Sequence, residues 1–211
     1  VIPIVKLVPN WLETGWKALT RPIAAAFVRM GLRPNHLTTL GLLLIVVSTV
    51  FYSSGHIRLG GFFLLLSGWT DMIDGEMARK GGMATKFGAF YDSTLDRIGD
   101  GLTYVGIGGF YLLYPADLAW RQGVVILCMV AIVASLTVSY TRARAEGLGL
   151  DGKVGIAQRT ERVLGIGAVT MFGGYGYRGI VLSSVILILT LLSLITVVQR
   201  MVWVHKQTQG A

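Results

Sequence analysis

Charged residues are scarce in this sequence. They make up 14% of its 211 residues, whereas 53% are hydrophobic, and the mean hydropathy is +0.63. A soluble domain usually carries roughly twice that charge, so the scarcity excludes an ordinary soluble fold and points to a single membrane unit. Cysteine is scarcer still. Cys128 stands alone, so no intrachain disulfide can form and the redox compartment is left open. Within the apolar run GVVILCMVAIVASL it reads as a packing residue. Acidic residues number eleven against nineteen basic ones, for a net charge of +8. On a soluble protein that excess would suggest nucleic acid. Flanking apolar spans, it reads instead as contact with anionic lipid head groups, and no nucleic-acid partner is expected. Low-complexity segments, soluble linkers and obvious repeats are lacking. So is a leader with an n-region, an h-region and a cleavage site, and Val1 leaves the native start open.

Long apolar runs are what the chain has in their place. Six reach spanning length, at roughly 20 residues each: about 35–54, 59–79, 86–114, 121–145, 160–176 and 178–203. The expected fold is therefore an all-α integral membrane protein with six transmembrane helices, residues 34–206, preceded by an amphipathic interfacial segment, residues 1–33. In that segment Trp11, Trp16 and Phe27 mix with Lys17, Arg21 and Arg29, as in one or two helices lying in the interface and ending at Gly31. With six spans, fifteen of the nineteen Lys and Arg fall on the side of both termini. Only Arg58, Arg121 and Arg178 fall opposite, and Arg97 lies within a span. The positive-inside rule then puts the termini on the cytoplasmic side of an inner membrane.

Against this apolar background stands DMIDGEMARKGGMATKFGAFYDSTLDRIGD, residues 71–100, which holds six of the eleven acids. Asp71 and Asp74 are three residues apart, and Asp92, Asp96 and Asp100 are four apart. On helices each set shares a face. The sets end one span and begin the next, so two antiparallel helices can turn both faces into one cleft on the cytoplasmic side. Each carboxylate near the bilayer centre costs about 2.5–3.5 kcal/mol on insertion scales. Protonation, pairing with arginine or divalent cations can relieve that cost. All-oxygen ligands with no nearby His or Cys suit a hard ion such as Mg²⁺, Mn²⁺ or Ca²⁺. His36, His56 and His205 all lie outside the stretch and read as boundary residues. Gly75, Ala78, Gly81, Gly82, Gly88 and Ala89 bring small side chains among the acids, as in close helix packing or the floor of a pocket.

The pattern D-x-x-D-G-x-x-A-R-x(8)-G-x-x-x-D-x-x-x-D from Asp71 to Asp96 resembles the signature of the CDP-alcohol phosphotransferases, membrane enzymes that make phospholipids from a CDP-linked donor. The resemblance implies that Asp71, Asp74, Asp92 and Asp96 bind two divalent ions, Mg²⁺ or Mn²⁺, and that Asp96 is also the base for the acceptor hydroxyl. It implies Gly75, Ala78, Arg79 and Gly88 as the donor-nucleotide pocket, and a homodimer. Asp100 lies outside the signature and reads as a partner of Arg97.

A second basic set follows in SYTRARAE, QRTER and VVQR, with Arg142 and Arg144 ending one span, Arg159 and Arg162 beginning the next, and Arg200 ending the last. Arginine forks suit a phosphate. Arg162 and Lys153 read as anchors for lipid head groups. These segments are similar to those of the prokaryotic phosphatidylinositol-phosphate synthases, the branch that uses inositol phosphate, over about residues 20–203. That implies Ser139, Arg142, Arg159 and Arg200 as contacts to the acceptor. Arg142 stands where that branch usually has lysine, and QRTER where ERPER is typical. The expected reaction moves a phosphatidyl or archaetidyl group from a CDP-linked lipid, such as CDP-diacylglycerol, to myo-inositol phosphate and releases CMP. Glycerol 3-phosphate or another polar alcohol is the alternative acceptor. A cation-coupled transporter is the distant rival, disfavoured because the acids are confined to two adjacent spans and no inverted repeat is visible.

Overall fold

The computed structural model describes residues 10–114, 119–150, 152, 154–156 and 158–209. Among these residues there are seven α-helices and no strand: α1 (Asn10–Arg29), α2 (Pro34–Ser53), α3 (Ile57–Lys80), α4 (Lys86–Leu113), α5 (Arg121–Gly147), α6 (Arg159–Ala168) and α7 (Ile180–Gln209). Local sequence accounts for the breaks. Gly31, at φ +77°, follows the end of α1 in the left-handed conformation that stops a helix. Pro34 opens α2 at a position where its missing N–H costs nothing. The Thr85 hydroxyl accepts from the Gly88 N–H at 2.9 Å and starts α4.

The helices follow the expected spans closely through α5. The fifth departs from expectation, because α6 keeps α-helical geometry for ten residues and then widens into a π-helical turn, Val169–Gly173. A glycine-rich sequence holds a helix weakly, and Gly174 at φ +56° turns the chain out of it. A short 3-10 turn, Gly176–Gly179, leads into α7. Helix α1 is one helix despite Pro22. The first nine residues of the expected interfacial segment lie outside the described residues.

The distribution of side chains is that of a membrane protein. Helices α2, α5 and α7 are long and apolar enough to cross a bilayer by length and composition. Leu43, Val50, Leu112, Ile126, Val133, Ile188 and Val198 are exposed, while Ser48, Ser67, Thr103, Thr190, Ser193 and Thr196 are buried. Apolar groups outside and hydroxyls inside reverse the arrangement of a water-soluble core. The buried hydroxyls bond to helix carbonyls, as Ser193 does to Leu189 at 2.8 Å, so none of them is left without a partner.

Helix α2 lies between α3 and α4 and makes its closest approaches through small residues. The Ser48 hydroxyl donates to the Gly60 carbonyl at 2.7 Å, and the Thr49 hydroxyl donates to the Leu102 carbonyl at 3.1 Å. Around them Tyr52, Leu64, Ile107, Tyr111, Ile166 and Ile186 form the main core, with Cys128 buried among them as the packing residue it was expected to be. Tyr52 shares a hydrogen bond with Thr170 at 2.7 Å, and Tyr111 donates to the Gly179 carbonyl at 2.8 Å. These two tyrosines pin the irregular α6–α7 connection to the regular bundle. A second cluster, built on Ala24, Leu37, Ile73 and Met77, seats α1 against α3.

Packing this close gives a direct test. A Cβ at position 106 would stand 2.9 Å from the Thr49 Cα and 3.0 Å from its carbonyl oxygen, whereas one at position 101 meets nothing within 4 Å. Gly106→Ala should therefore force α2 and α4 apart and cost about 1–3 kcal/mol, seen as a lower melting midpoint in detergent. Gly101→Ala should melt at or above the wild-type temperature.

Candidate active site

The acids of α3 and α4 meet across the cleft that their spacing predicts, and α6 points its first turn into it. Arg159 is the central contact. Its Nη1 forms an ion pair with Asp71 Oδ2 from α3 and another, at 2.8 Å, with Asp96 Oδ1 from α4. Its Nε lies 3.6 Å from Asp100 Oδ1. One turn further along α6, Arg162 pairs with Asp100 Oδ2. Acids at 96 and 100 thus face arginines at 159 and 162 as a two-rung ladder between α4 and α6. The ladder follows from matching the four-residue and three-residue steps that keep side chains on one helical face.

The other two acids of the signature border the same cleft. Asp74 is buried and accepts from the Thr38 hydroxyl of α2 at 2.8 Å, and it lies in the field of Asp71, Asp92 and Asp96. Asp92 is half-buried and lies in the field of Arg159 and Arg97. The cleft has a third wall that the sequence reading missed, the first turns of α2. Besides Thr38, it carries Thr39, whose hydroxyl is 2.9 Å from that of Tyr91, and Gly41, where a Cβ would stand 3.1 Å from Asp71 Oδ1. The run of hydroxyls in NHLTT, in a segment otherwise apolar, was the available signal.

Two expectations need correction. Arg162 is not a head-group anchor; it is 3% exposed and ion-paired inside the bundle. Lys153, which was read the same way, lies outside the described residues. Asp100 is the partner of Arg162 and Arg159, not of Arg97, which instead lies 3.5 Å from Asp96. Helical direction explains the second correction. Arg97 leaves α4 towards its rim, where it is one-third exposed, while Asp100 faces α6.

The donor-pocket residues are brought together in part. At the end of α3, Arg79 folds back over Gly75, so that a Cβ at Gly75 would stand 3.2 Å from its guanidinium nitrogens. The exposed Arg79 lies 3.6 Å from the buried Glu76, with half-buried Ala78 beside it. Gly88, on the first turn of α4, faces Asn35 of α2 across 3.2 Å from its Cβ position.

The acceptor residues do not form one cluster. Arg159 is in the acidic cleft. Arg200 is buried and donates to the carbonyls of Val138 and Val154, the latter at 2.8 Å, and to the Thr141 hydroxyl at 3.2 Å. It thereby ties α7 to the end of α5. Arg142 is exposed and holds Glu146 at 2.9 Å, in the field of Arg200. Ser139 is half-buried on the same helix.

The cleft is suited to a hard cation. Asp71 and Asp96 already converge on a single positively charged nitrogen, and among the described residues five carboxylates face Arg159, Arg162 and, at the rim, Arg97. The excess is negative and the donors are all oxygen, the set preferred by Mg²⁺ and Mn²⁺. Among the described residues no three His, Cys, Asp or Glu side chains are closed up enough to hold a metal ion as they stand; Arg159 takes the central place.

The fold and this cleft define a helical membrane protein with a polyacidic site, and comparison with known proteins gives its family. The sequence profile of the CDP-alcohol phosphatidyltransferases matches residues 32–204, and the chain belongs to that family. It is 37% identical over 194 residues to the archaetidylinositol phosphate synthase of Methanothermobacter thermautotrophicus, covering 89% of this chain and 93% of that protein. It is 36% identical over 186 residues to the phosphatidylinositol phosphate synthase of Mycobacteroides abscessus, covering 87% and 82%. The crystal structure of the Mycobacterium tuberculosis phosphatidylinositol phosphate synthase with CDP-DAG bound superposes with a TM-score of 0.78 at 32% identity, over 89% of this chain and 94% of that one. The same enzyme in complex with manganese and citrate gives a TM-score of 0.77 at 33% identity, over 88% of each chain.

The charge ladder makes a stability prediction. Asp100→Asn removes the carboxylate facing a buried guanidinium, and breaking such a pair costs about 3–5 kcal/mol. The melting midpoint should fall sharply. Asp100→Asn combined with Arg162→Gln should recover part of the loss, and strict additivity in the double-mutant cycle would show that the two do not couple.

Proposed function

We propose that the protein transfers a phosphatidyl or archaetidyl group from a CDP-linked lipid, such as CDP-diacylglycerol, to myo-inositol phosphate, releasing CMP. The observation that carries this reading is the meeting of Asp71, Asp96 and Arg159 at one place. A transfer between a metal-held diphosphate and an anionic acceptor needs carboxylates and a guanidinium side by side, and here they touch. The relatives' names, synthases of phosphatidylinositol phosphate and archaetidylinositol phosphate, support the acceptor, and the archaetidyl name supports leaving the lipid tail open.

In this reading Asp71, Asp74, Asp92 and Asp96 hold two Mg²⁺ or Mn²⁺ ions. When bound, such ions clamp a diphosphate and offset the charge gathering on the leaving CMP during in-line attack. The Thr38 hydroxyl fixes the orientation of Asp74 from α2. Gly75, Ala78 and Gly88 leave the nucleotide room beside the backbone, and Arg79 holds its phosphate end. Asp96 accepts the proton of the inositol hydroxyl as the new P–O bond forms and the bond to CMP breaks, which demands an ionised carboxylate within hydrogen-bond reach. Ser139, Arg142, Arg159 and Arg200 hold the acceptor phosphate. Arg200, anchored to two carbonyls, supplies its charge from a fixed position, whereas Arg159 and Arg142 are held only by other side chains and can turn to the substrate.

The membrane arrangement belongs to the same proposal. Residues 34–206 form a six-span domain, with α3, α4 and the α6 segment crossing alongside α2, α5 and α7, and α1 lies along the interface. Both termini and the cleft face the cytoplasm across the inner membrane, so that a lipid donor and a soluble acceptor can reach the same site. The functional unit is a homodimer.

The test is CMP release by purified protein supplied with CDP-diacylglycerol and Mg²⁺. Turnover should occur with inositol phosphate and fail with inositol, glycerol 3-phosphate and serine, and chelation of the metal should stop it. Turnover with glycerol 3-phosphate alone would reject the acceptor; no turnover with any of the four would reject the reaction. Asp96→Asn should lower kcat by a factor on the order of 10²–10⁴ while donor binding persists. Arg159→Ala should act mainly on the KM for inositol phosphate, and an unchanged KM would remove Arg159 from the acceptor site.

A further inference from the structure

A cavity of about 300 Å³ lies between α1 and the end of α3, lined by Arg21, Ala25, Val28 and Arg29 from α1 and by Glu76 and Met77 from α3. None of the cleft's five aspartates lines it, although its Glu76 reaches Arg79 of the proposed donor pocket at 3.6 Å. Its floor is mostly apolar, with Met77 buried in the cluster that seats α1 and the buried Glu76 beside it, while Arg21, Ala25 and Arg29 on its rim are exposed. Among the described residues neither arginine has an ion-pair or hydrogen-bond partner, and the acid at the cavity edge, Glu76, is engaged by Arg79. Two guanidiniums without counter-ions therefore border one apolar hollow. They stand eight residues apart, about 12 Å along the helix at 1.5 Å per residue. That spacing places one guanidinium towards each side of the hollow, and the long side chains can turn to a phosphate between them.

We propose that this cavity is a binding site for an anionic phospholipid head group from the surrounding membrane. The chemistry is that of a lipid at the bilayer edge. Arginine forks meet the phosphate oxygens, and the alanine, valine and methionine surface takes the glycerol and the first carbons of the chains. The position is consistent with the edge of the bundle, because the cavity sits where α3 ends at Lys80. Exposed arginines merely facing water would not need to share a hollow with an apolar floor. The site does not depend on the transfer reaction, since none of its arginines belongs to the acidic cleft.

The experiment equilibrates the full-length protein with mixed micelles of phosphatidylcholine and phosphatidylglycerol and counts retained lipids by native mass spectrometry. Wild type should retain phosphatidylglycerol in preference to phosphatidylcholine. Arg21→Gln/Arg29→Gln should lose that preference by roughly tenfold or more, the scale expected for two basic side chains at a membrane surface. Arg21→Lys/Arg29→Lys keeps the charge and should keep most of the preference, and its melting midpoint in phosphatidylcholine alone checks the fold. Arg144→Gln, at an exposed basic residue elsewhere, should change nothing. Equal retention by the glutamine variant, or an equal loss in Arg144→Gln, would overturn the site. Displacement of the lipid by inorganic phosphate would make it a free-anion site, and displacement by CDP-diacylglycerol would make it part of the donor site; either result overturns the proposal.

Discussion

Carboxylates gathered inside an apolar bundle require positive charge among them. Five of them border the cleft between α3 and α4, where each ion taken from water costs several kcal/mol and neighbouring ions of like sign add to the cost. The structure meets this with α6, a helix too short to be a good span but carrying two arginines three residues apart. Arg159 bridges the acids of α3 and α4, and Arg162 closes the deeper pair with Asp100. Remove that helix and the two acidic faces would repel each other across the cleft. The position of α6 is therefore set by charge at its start as much as by packing along its length.

Fixing α6 by its first turn creates a geometric problem at its other end. The chain must still reach the far side of the bundle and return as α7, and the helix has only ten residues of regular geometry in which to begin. A π turn and a 3-10 turn complete the distance. Such irregular backbone needs outside partners, and two tyrosines supply them: Tyr52 from α2 at Thr170 and Tyr111 from α4 at Gly179. Their hydroxyls sit deep in an otherwise apolar core, where an unpaired hydroxyl would be costly. The regular helices thus hold the irregular one from both sides, by charge at the cleft and by hydroxyls at the turn.

What could be read from the sequence divides along the same line. The acids of α3 and α4 were legible because helical periodicity is local: steps of three and four fix a shared face whatever else surrounds it. Family membership followed from the same stretch. The partners of those acids were not legible, since a sequence separation of 88 between Asp71 and Arg159 leaves no local record of which arginine will reach which carboxylate. Arg162 looks like a surface residue in QRTER, and only the ladder with Asp100 shows why it is buried. Arg97 was assigned to Asp100 because it is near in sequence, although the direction of its side chain on α4 sends it elsewhere. Thr38 went unnoticed for the opposite reason: a threonine in an apolar helix commonly bonds its own backbone, and its second partner, Asp74, lies on another helix.

The double position of Arg159 connects the donor and acceptor halves of the proposed reaction. The guanidinium set between Asp71 and Asp96 offsets two carboxylates that would otherwise repel at close range inside a medium that screens poorly. On the proposed reading, Arg159 turns from the carboxylates to the acceptor phosphate, and it does so from a helix still held by Arg162 and Asp100. A ladder of two rungs is what makes this workable. With a single arginine, releasing the counter-ion would also release the helix; with two, the upper rung can open while the lower keeps α6 in place, and the guanidinium swings from a fixed root. The burial of Arg162, which has no evident use in binding either substrate, then follows from the mobility required of its neighbour.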